Sequence, residues 1–347
     1  MEVLKYPALS VENNVGFALE SDFLAEAAKA KTVAEARAAA VRWLATRRWR
    51  RAGLSEGPIR YEDGNEFNEG LAKYVEYKLM ECLQSKTPSR DMWLVQGFQG
   101  YGDLELQRES MIGQMQAALT GQMNVNNDPY GASPVRFRLY FSGMAIAAML
   151  DRLGAKWHDP ILKTDATLTS LVEKAVHATP EELERAKAEI QSSPRFKELT
   201  DLKLKLAKDG EAHIQKVLAS FDSCPGELEI DFSKTTKPAV AFSFTPFGVL
   251  RVSDDQRIFR LIPIGGRVGS LTIAEDGARP VLHDSGAKVV RYQLTAVPDE
   301  AAIKLQIGGG GLQAVDAKTL ALPGVTLGNV KGTLRFEGRK VVLVLAD

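Results

Sequence analysis

The sequence predicts an α+β protein, an all-helical domain over residues 1–221 followed by an all-β domain over 222–347. Three observations carry this. Apolar residues of the first part recur at helical spacing, whereas those of the second alternate or form short apolar runs between Gly, Pro, Asp and Asn. A chain of 347 residues fits two domains at about 150 residues each. The stretch FDSCPG, where the pattern changes, reads as the linker.

In the helical part, Thr32 and Glu35 form a T-x-x-E capping box ahead of a helix that runs to the RRWRR cluster at 47–51, with Val33, Ala36, Ala40 and Leu44 on one face. A second helix is expected from Tyr61 to Leu83, its apolar side made of Phe67, Leu71, Tyr74, Val75, Leu79 and Cys82. The Gly- and aromatic-rich DMWLVQGFQGYGD is a loop, 104–122 a helix, and NVNNDPYGASP a breaker. VRFRLYFSGMAIAAMLDRLG is apolar enough for a central helix stopped by Gly154. Thr179, Pro180, Glu181 and Glu182 form another capping box with proline at the first helical position, and KELTDLKLKLAKDGEAHIQKVLASF is the last helix.

In the second part, GELEIDF, AVAFSF, VLRV, IFRLI, VGSLTI, VVRYQLTA, IKLQI, GTLRFE and VVLVLAD read as strands. Their length and spacing predict an antiparallel sandwich or open barrel.

The 44 basic and 44 acidic residues give a formal net charge of +0, which excludes a globally basic nucleic-acid binder or an acidic-tail protein. No apolar run reaches the roughly 18 to 20 residues of a membrane span. No signal peptide is visible at Met1, and the compartment stays open because an intact parent could be exported. With two cysteines, Cys82 and Cys224, a disulfide framework and a Cys-rich zinc site are both excluded.

On the 61–83 helix, Glu62, Glu66, Glu69, Lys73 and Glu76 make one polar stripe. By itself this is the solvated face of an amphipathic helix. The string Asn68-Glu69-Gly70-Leu71-Ala72, followed by Tyr74-Val75-Glu76, resembles the third-ligand helix of gluzincin metallopeptidases. More loosely, YPALSVENNVGFALESDFLAEA and RFRLYFSGMAIAAMLDRLG resemble helices flanking the zinc helix of uncharacterised bacterial proteins of this kind. The resemblance covers roughly residues 6–155 and implies a zincin-like helical domain, Zn²⁺ and a peptide or protein substrate. Glu69 is then the carboxylate ligand, and Asn68 and Glu76 orient it or meet substrate. Tyr140 takes the part of an oxyanion donor. Arg138 stands at the substrate edge or pairs with a helical carboxylate. Gly70 lets a backbone or substrate come close.

The sequence departs from the family in one respect. It has no H-E-x-x-H, and its histidines, His158, His177, His213 and His283, all follow Glu69. The chain is therefore expected to be an N-terminally shortened or degenerate relative that does not hold zinc tightly, with peptide hydrolysis confined to an intact parent protein. The alternative is a non-catalytic binding or scaffold protein whose β domain mediates interactions.

The other motifs point to structure. The four histidines read as surface or capping residues, with His283 and Asp284 in a loop. RRWRR reads as a helix end whose arginines complement the dipole and cover apolar surface. IPIGGRVGS and IGGGG lack the context of a nucleotide-binding loop, and no G-x-S-x-G elbow occurs. Trp93, Phe98 and Tyr101 are expected to line a cleft beside the Glu69 helix.

Overall fold

The computed structural model describes residues 6–122, 135–236, 240–243, 249–260, 263, 265–308 and 312–345. The expected breaker at 124–134, residues 309–311 of the glycine run and parts of the expected strands at 239–244 and 258–262 lie outside these. The contacts divide the chain into two units, residues 1–210 and 211–347. Among the described residues no helix is long and apolar enough to cross a membrane.

The first unit is helical. Helix α1 (Val11–Lys29) is capped by the Ser10 side chain, which accepts from the Asn13 amide. Helix α2 (Val33–Ala52) starts at the expected capping box, with both reciprocal bonds of Thr32 and Glu35 present. Then come α3 (Glu56–Asn65), a five-residue π-turn (Glu66–Gly70) and α4 (Leu71–Gln84), end to end. A short 3-10 turn (Arg90–Leu94) leads to α5 (Leu104–Thr120) and the apolar α6 (Val135–Arg152). Helices α7 (His158–Lys163) and α8 (Leu168–Val176), which the periodicity does not pick out, precede α9 (Pro180–Gln191). At α9 the Thr179 side chain caps the Glu182 amide, while the Glu182 carboxylate takes both guanidinium ends of Arg37 at 2.8 and 2.9 Å. Helix α10 (Pro194–Ser223) continues into the second unit. The helical core is built on Phe17, Leu24, Trp43, Leu44, Met115, Leu119 and Leu139, all fully buried.

The second unit is β-rich. Its strands are β1 (Gly226–Asp231), β2 (Val240–Phe242), β3 (Val249–Arg251), β4 (Gln256–Phe259), β5 (Gly266–Val268), β6 (Leu271–Glu275), β7 (Val281–Asp284), β8 (Val289–Leu294), β9 (Val315–Leu322), β10 (Val325–Glu337) and β11 (Lys340–Leu345). They form one curled sheet in the order β2-β5-β6-β10-β11-β1-β8-β7-β4-β3, with β9 on β10. Pairing is antiparallel except between β1 and β11, where Glu227 stands opposite Lys340 in a parallel register.

Three expectations need correction here. The unit is not all-β, because IKLQI lies in helix α11 (Glu300–Gln306), whose N-cap Asp299 accepts from the Ala301 and Ala302 amides. The alternation I-K-L-Q-I fits both periods, and the cap settles it as a helix. VGSLTI is two strands, β5 and β6, with Gly269 and Ser270 between them. His283 and Asp284 lie on β7, where the His283 ring packs against Phe232 and Phe242 at 6.2 and 5.6 Å. Burial pushes this imidazole below the usual histidine range, with Asp284 opposing.

Candidate functional site

The α3–π-turn–α4 rod carries the carboxylates, and its acidic stripe does not face water along its whole length. Glu62 and Glu66 are 0% and 1% exposed, whereas Phe67, Val75 and Leu79 of the expected apolar side are 38%, 62% and 55% exposed. The outward direction of the stripe changes at the π-turn. Such a turn accommodates an extra residue, and residues on either side of it no longer follow one 3.6-residue face.

Glu62 and Glu66 turn inward because α2 offers them arginines. Arg50 meets Glu62 in a two-point fork, Nη1 to Oε1 at 2.6 Å and Nη2 to Oε2 at 3.0 Å. Arg51 Nε donates to Glu62 Oε2 at 2.9 Å, and the Tyr6 hydroxyl donates to Glu62 Oε1. Arg47 pairs with Glu66, which also accepts from Ser142 Oγ at 2.6 Å. Glu20 of α1 completes the cluster, accepting from Arg50 Nε at 2.6 Å and Arg47 Nη1 at 3.0 Å. Burial by itself would raise the Glu62 carboxyl, but Arg50 and Arg51 outweigh it and hold the group well below the usual carboxylate range. Burial also sends the Tyr6 phenol far above its ordinary value. The RRWRR cluster is thus largely consumed inside the fold. Its signature in the sequence is the pair of matching i, i+3 and i, i+4 spacings, Arg47/Arg50/Arg51 and Glu62/Glu66, which look unrelated until α2 and α3 are seen side by side.

Glu69 sits one turn beyond Glu66, at the rim. Its side chain is 33% exposed and paired with Arg136. Arg136 also lies over the Tyr140 ring, 5.7 Å from its centroid. The hydrogen bond from Arg136, against a small opposing effect of burial, lowers the Glu69 carboxyl, and the Tyr140 hydroxyl is close enough to lower it further. Burial raises the Tyr61 phenol, opposed by the charge of Arg136 and assisted by Tyr140 and Glu69. Asn68 is exposed, its amide donating to Gly64 O at 2.9 Å. Glu76 makes a surface pair with Lys73 at 2.6 Å. Arg138 is 2% exposed and lies apart from Glu69, donating to Asn14 Oδ1 at 2.7 Å. Of the residues singled out in the sequence, then, the structure brings together Glu69 and Tyr140, and Asn68, Glu76 and Arg138 go elsewhere. Gly70 meets a backbone, that of Gly143 on α6.

Among the described residues no group of three or more His, Cys, Asp or Glu could hold a metal ion. His158 is exposed and stacks on Trp157 at 4.1 Å, and His177 is the left-handed C-cap of α8. Glu69 is held by a guanidinium and a phenol, and no imidazole joins them. The described donors therefore do not fit a zinc centre. Trp93, Phe98 and Tyr101 stack edge to face in series at 5.2 and 5.5 Å, with Trp93 58% exposed.

No family model, no curated protein and no solved structure matches the chain.

Proposed function

We propose that the helical unit is a gluzincin-like zinc-peptidase relative in which Glu69 stands for the carboxylate ligand and Tyr140 for the oxyanion donor, and that this polypeptide alone does not hydrolyse peptides. What supports the reading is a single observation. Two residues 71 positions apart, each assigned a part from the family resemblance, share one half-exposed ion-pair cluster with Arg136. In this chain the positive charge facing Glu69 is a guanidinium. The two imidazoles that a His₂Glu centre requires do not join it among the described residues. The test is metal analysis of the purified full chain after dialysis against zinc, together with a peptide-library digest. Substoichiometric zinc and no cleavage are expected. Stoichiometric zinc, or cleavage abolished by a chelator, overturns the proposal for this chain. An H-E-x-x-H codon run in frame upstream of Met1 would support the parent enzyme.

A second reading, a non-catalytic binding protein, is favoured by the exposed Trp93, Leu94 and Val95, at 58%, 83% and 55%. Apolar side chains grouped on one surface loop suit a protein partner.

A further inference from the structure

Strand β9 forms a free edge of the curled sheet, pairing among the described strands with β10 alone. Near its C-terminal end the edge is covered by Gln306 of α11. Gln306 Nε2 donates to the Ala321 carbonyl at 3.0 Å, and Gln306 Oε1 accepts from the Ala321 amide at 2.8 Å. A side-chain carboxamide thus stands where one peptide unit of a further strand would lie. These two bonds also fix which backbone groups face outward. In an antiparallel pair every second residue turns its N–H and C=O away from the neighbouring strand. Ala321 does so, and Thr319, Ala317 and Val315 follow in the same phase. Among the described residues, Ala317 and Thr319 have no hydrogen-bond partner on that side.

A row of unpaired N–H and C=O groups is a template for another strand, and a lysine on the edge normally discourages pairing. Lys318 is exposed there and makes no ion pair among the described residues. Two residues before it, Asp316 is 77% exposed, with Lys331 of β10 opposite it at 3.8 Å. Opposite charges on either side of Ala317 make this edge complementary to itself. Antiparallel pairing of two copies centred on Ala317 sets Asp316 of each copy opposite Lys318 of the other, a favourable cross-strand pair. The register is constrained as well. Centring on Thr319 would set Ala317 opposite Ala321, whose outward groups Gln306 already holds. We propose that two copies of this chain associate through antiparallel pairing of β9 with β9 over residues 315–319, about a twofold axis at Ala317. Five residues a side bury less than the roughly 1,200 Å² of a stable interface, so the association is weak and concentration-dependent. The inference concerns the β-rich unit and is independent of the peptidase reading.

The test is sedimentation velocity of the full chain from low micromolar to near-millimolar concentration, at low salt. Wild type passes from monomer to dimer as concentration rises. Lys318→Asp sets a carboxylate opposite Asp316 and should raise the concentration of half-association by about tenfold or more. The exchange Asp316→Lys with Lys318→Asp restores an opposite-charge pair in the same register and should return it close to the wild-type value. Both positions are exposed, so neither change removes core packing. A wild type that stays monomeric over the whole range overturns the proposal, including one that instead binds a free extended peptide at this edge. Association of Lys318→Asp equal to that of wild type also overturns it, because the contact then lies elsewhere. Failure of the exchange to restore association overturns the register centred on Ala317.

Discussion

Arg50 and Glu62 meet in a two-point fork with neither side chain exposed to solvent, Nη1 to Oε1 at 2.6 Å and Nη2 to Oε2 at 3.0 Å. Because Glu62 also serves Arg51 and Tyr6, its removal takes one carboxylate from each of two guanidinium groups and an acceptor from a buried phenol, leaving Arg50 with Glu20 and Arg51 with Asp63. Glu62→Ala is expected to lose about 3 to 5 kcal/mol, the usual cost of breaking a buried pair from one side. Urea unfolding of the variant measures it. A loss under about 1 kcal/mol would mean that water reaches the cluster freely.

The same carboxylate shapes the acid limb of stability. Its pKa in the folded protein lies below the ordinary value, so the folded state holds the ionised form more strongly than the unfolded chain does. The resulting stabilisation is complete above the unfolded carboxylate pKa of about 4.3 and is lost as pH falls towards the folded value. Below pH ~4 each pH unit should remove about 1.4 kcal/mol through this one proton. Urea midpoints taken from pH 5 to pH 3 should therefore fall less steeply in Glu62→Gln than in wild type. Parallel slopes would show that Glu62 does not titrate on unfolding.

Glu66 and Glu69 are three residues apart and should lose very different amounts of stability on truncation. Glu66 is 1% exposed and bonded to Arg47 and Ser142, so Glu66→Ala leaves a buried guanidinium without one of its carboxylates and costs about 3 kcal/mol or more. Glu69 is partly solvated in its pair with Arg136, and Glu69→Ala costs at most about 1 kcal/mol. Equal losses in urea melts would place both carboxylates in the same environment, contrary to the structure.

This contrast marks how far the sequence can be read. Features settled within a few residues were legible: the Thr32–Glu35 capping box, the α6 apolar run and the strands β1 and β11 follow from local pattern, whereas the parallel pairing of β1 with β11 departs from the antiparallel sheet expected, because it joins segments more than 100 residues apart. The direction of the acidic stripe was not legible, for two physical reasons. A periodicity argument assumes one continuous α-helix, and the π-turn at Glu66–Gly70 interrupts it. Burial of Glu62 and Glu66 also depends on α2, and an acidic stripe alone does not reveal whether arginines or water will face it. IKLQI failed differently. Five residues fit both periods, and the deciding signal, Asp299 as N-cap just after Pro298, lay outside the stretch being counted.

Two glycines of that rod, Gly70 and Gly64, have opposite surroundings. A Cβ on Gly70 would lie 2.6 Å from Gly143 Cα and 3.2 Å from Leu139 O, and a Cβ on Gly143 would lie 2.5 Å from Glu66 O. In each case the obstacle is backbone and cannot move as a side-chain tip would. Gly70→Ala must therefore push α6 away from the π-turn, which also lengthens the Ser142–Glu66 bond. A loss of about 2 to 3 kcal/mol is expected, as for overpacking in a close-packed core. Gly64, one and a half turns earlier, has nothing within 4 Å of its would-be Cβ. Gly64→Ala should accordingly stabilise the protein by about 0.5 to 1 kcal/mol, because a helical alanine replaces the more flexible residue. Thermal melts of the two variants side by side should move in opposite directions. If Gly70→Ala also raises the midpoint, the α6 backbone does not approach the π-turn this closely, and the inward orientation of Glu66 loses its structural basis.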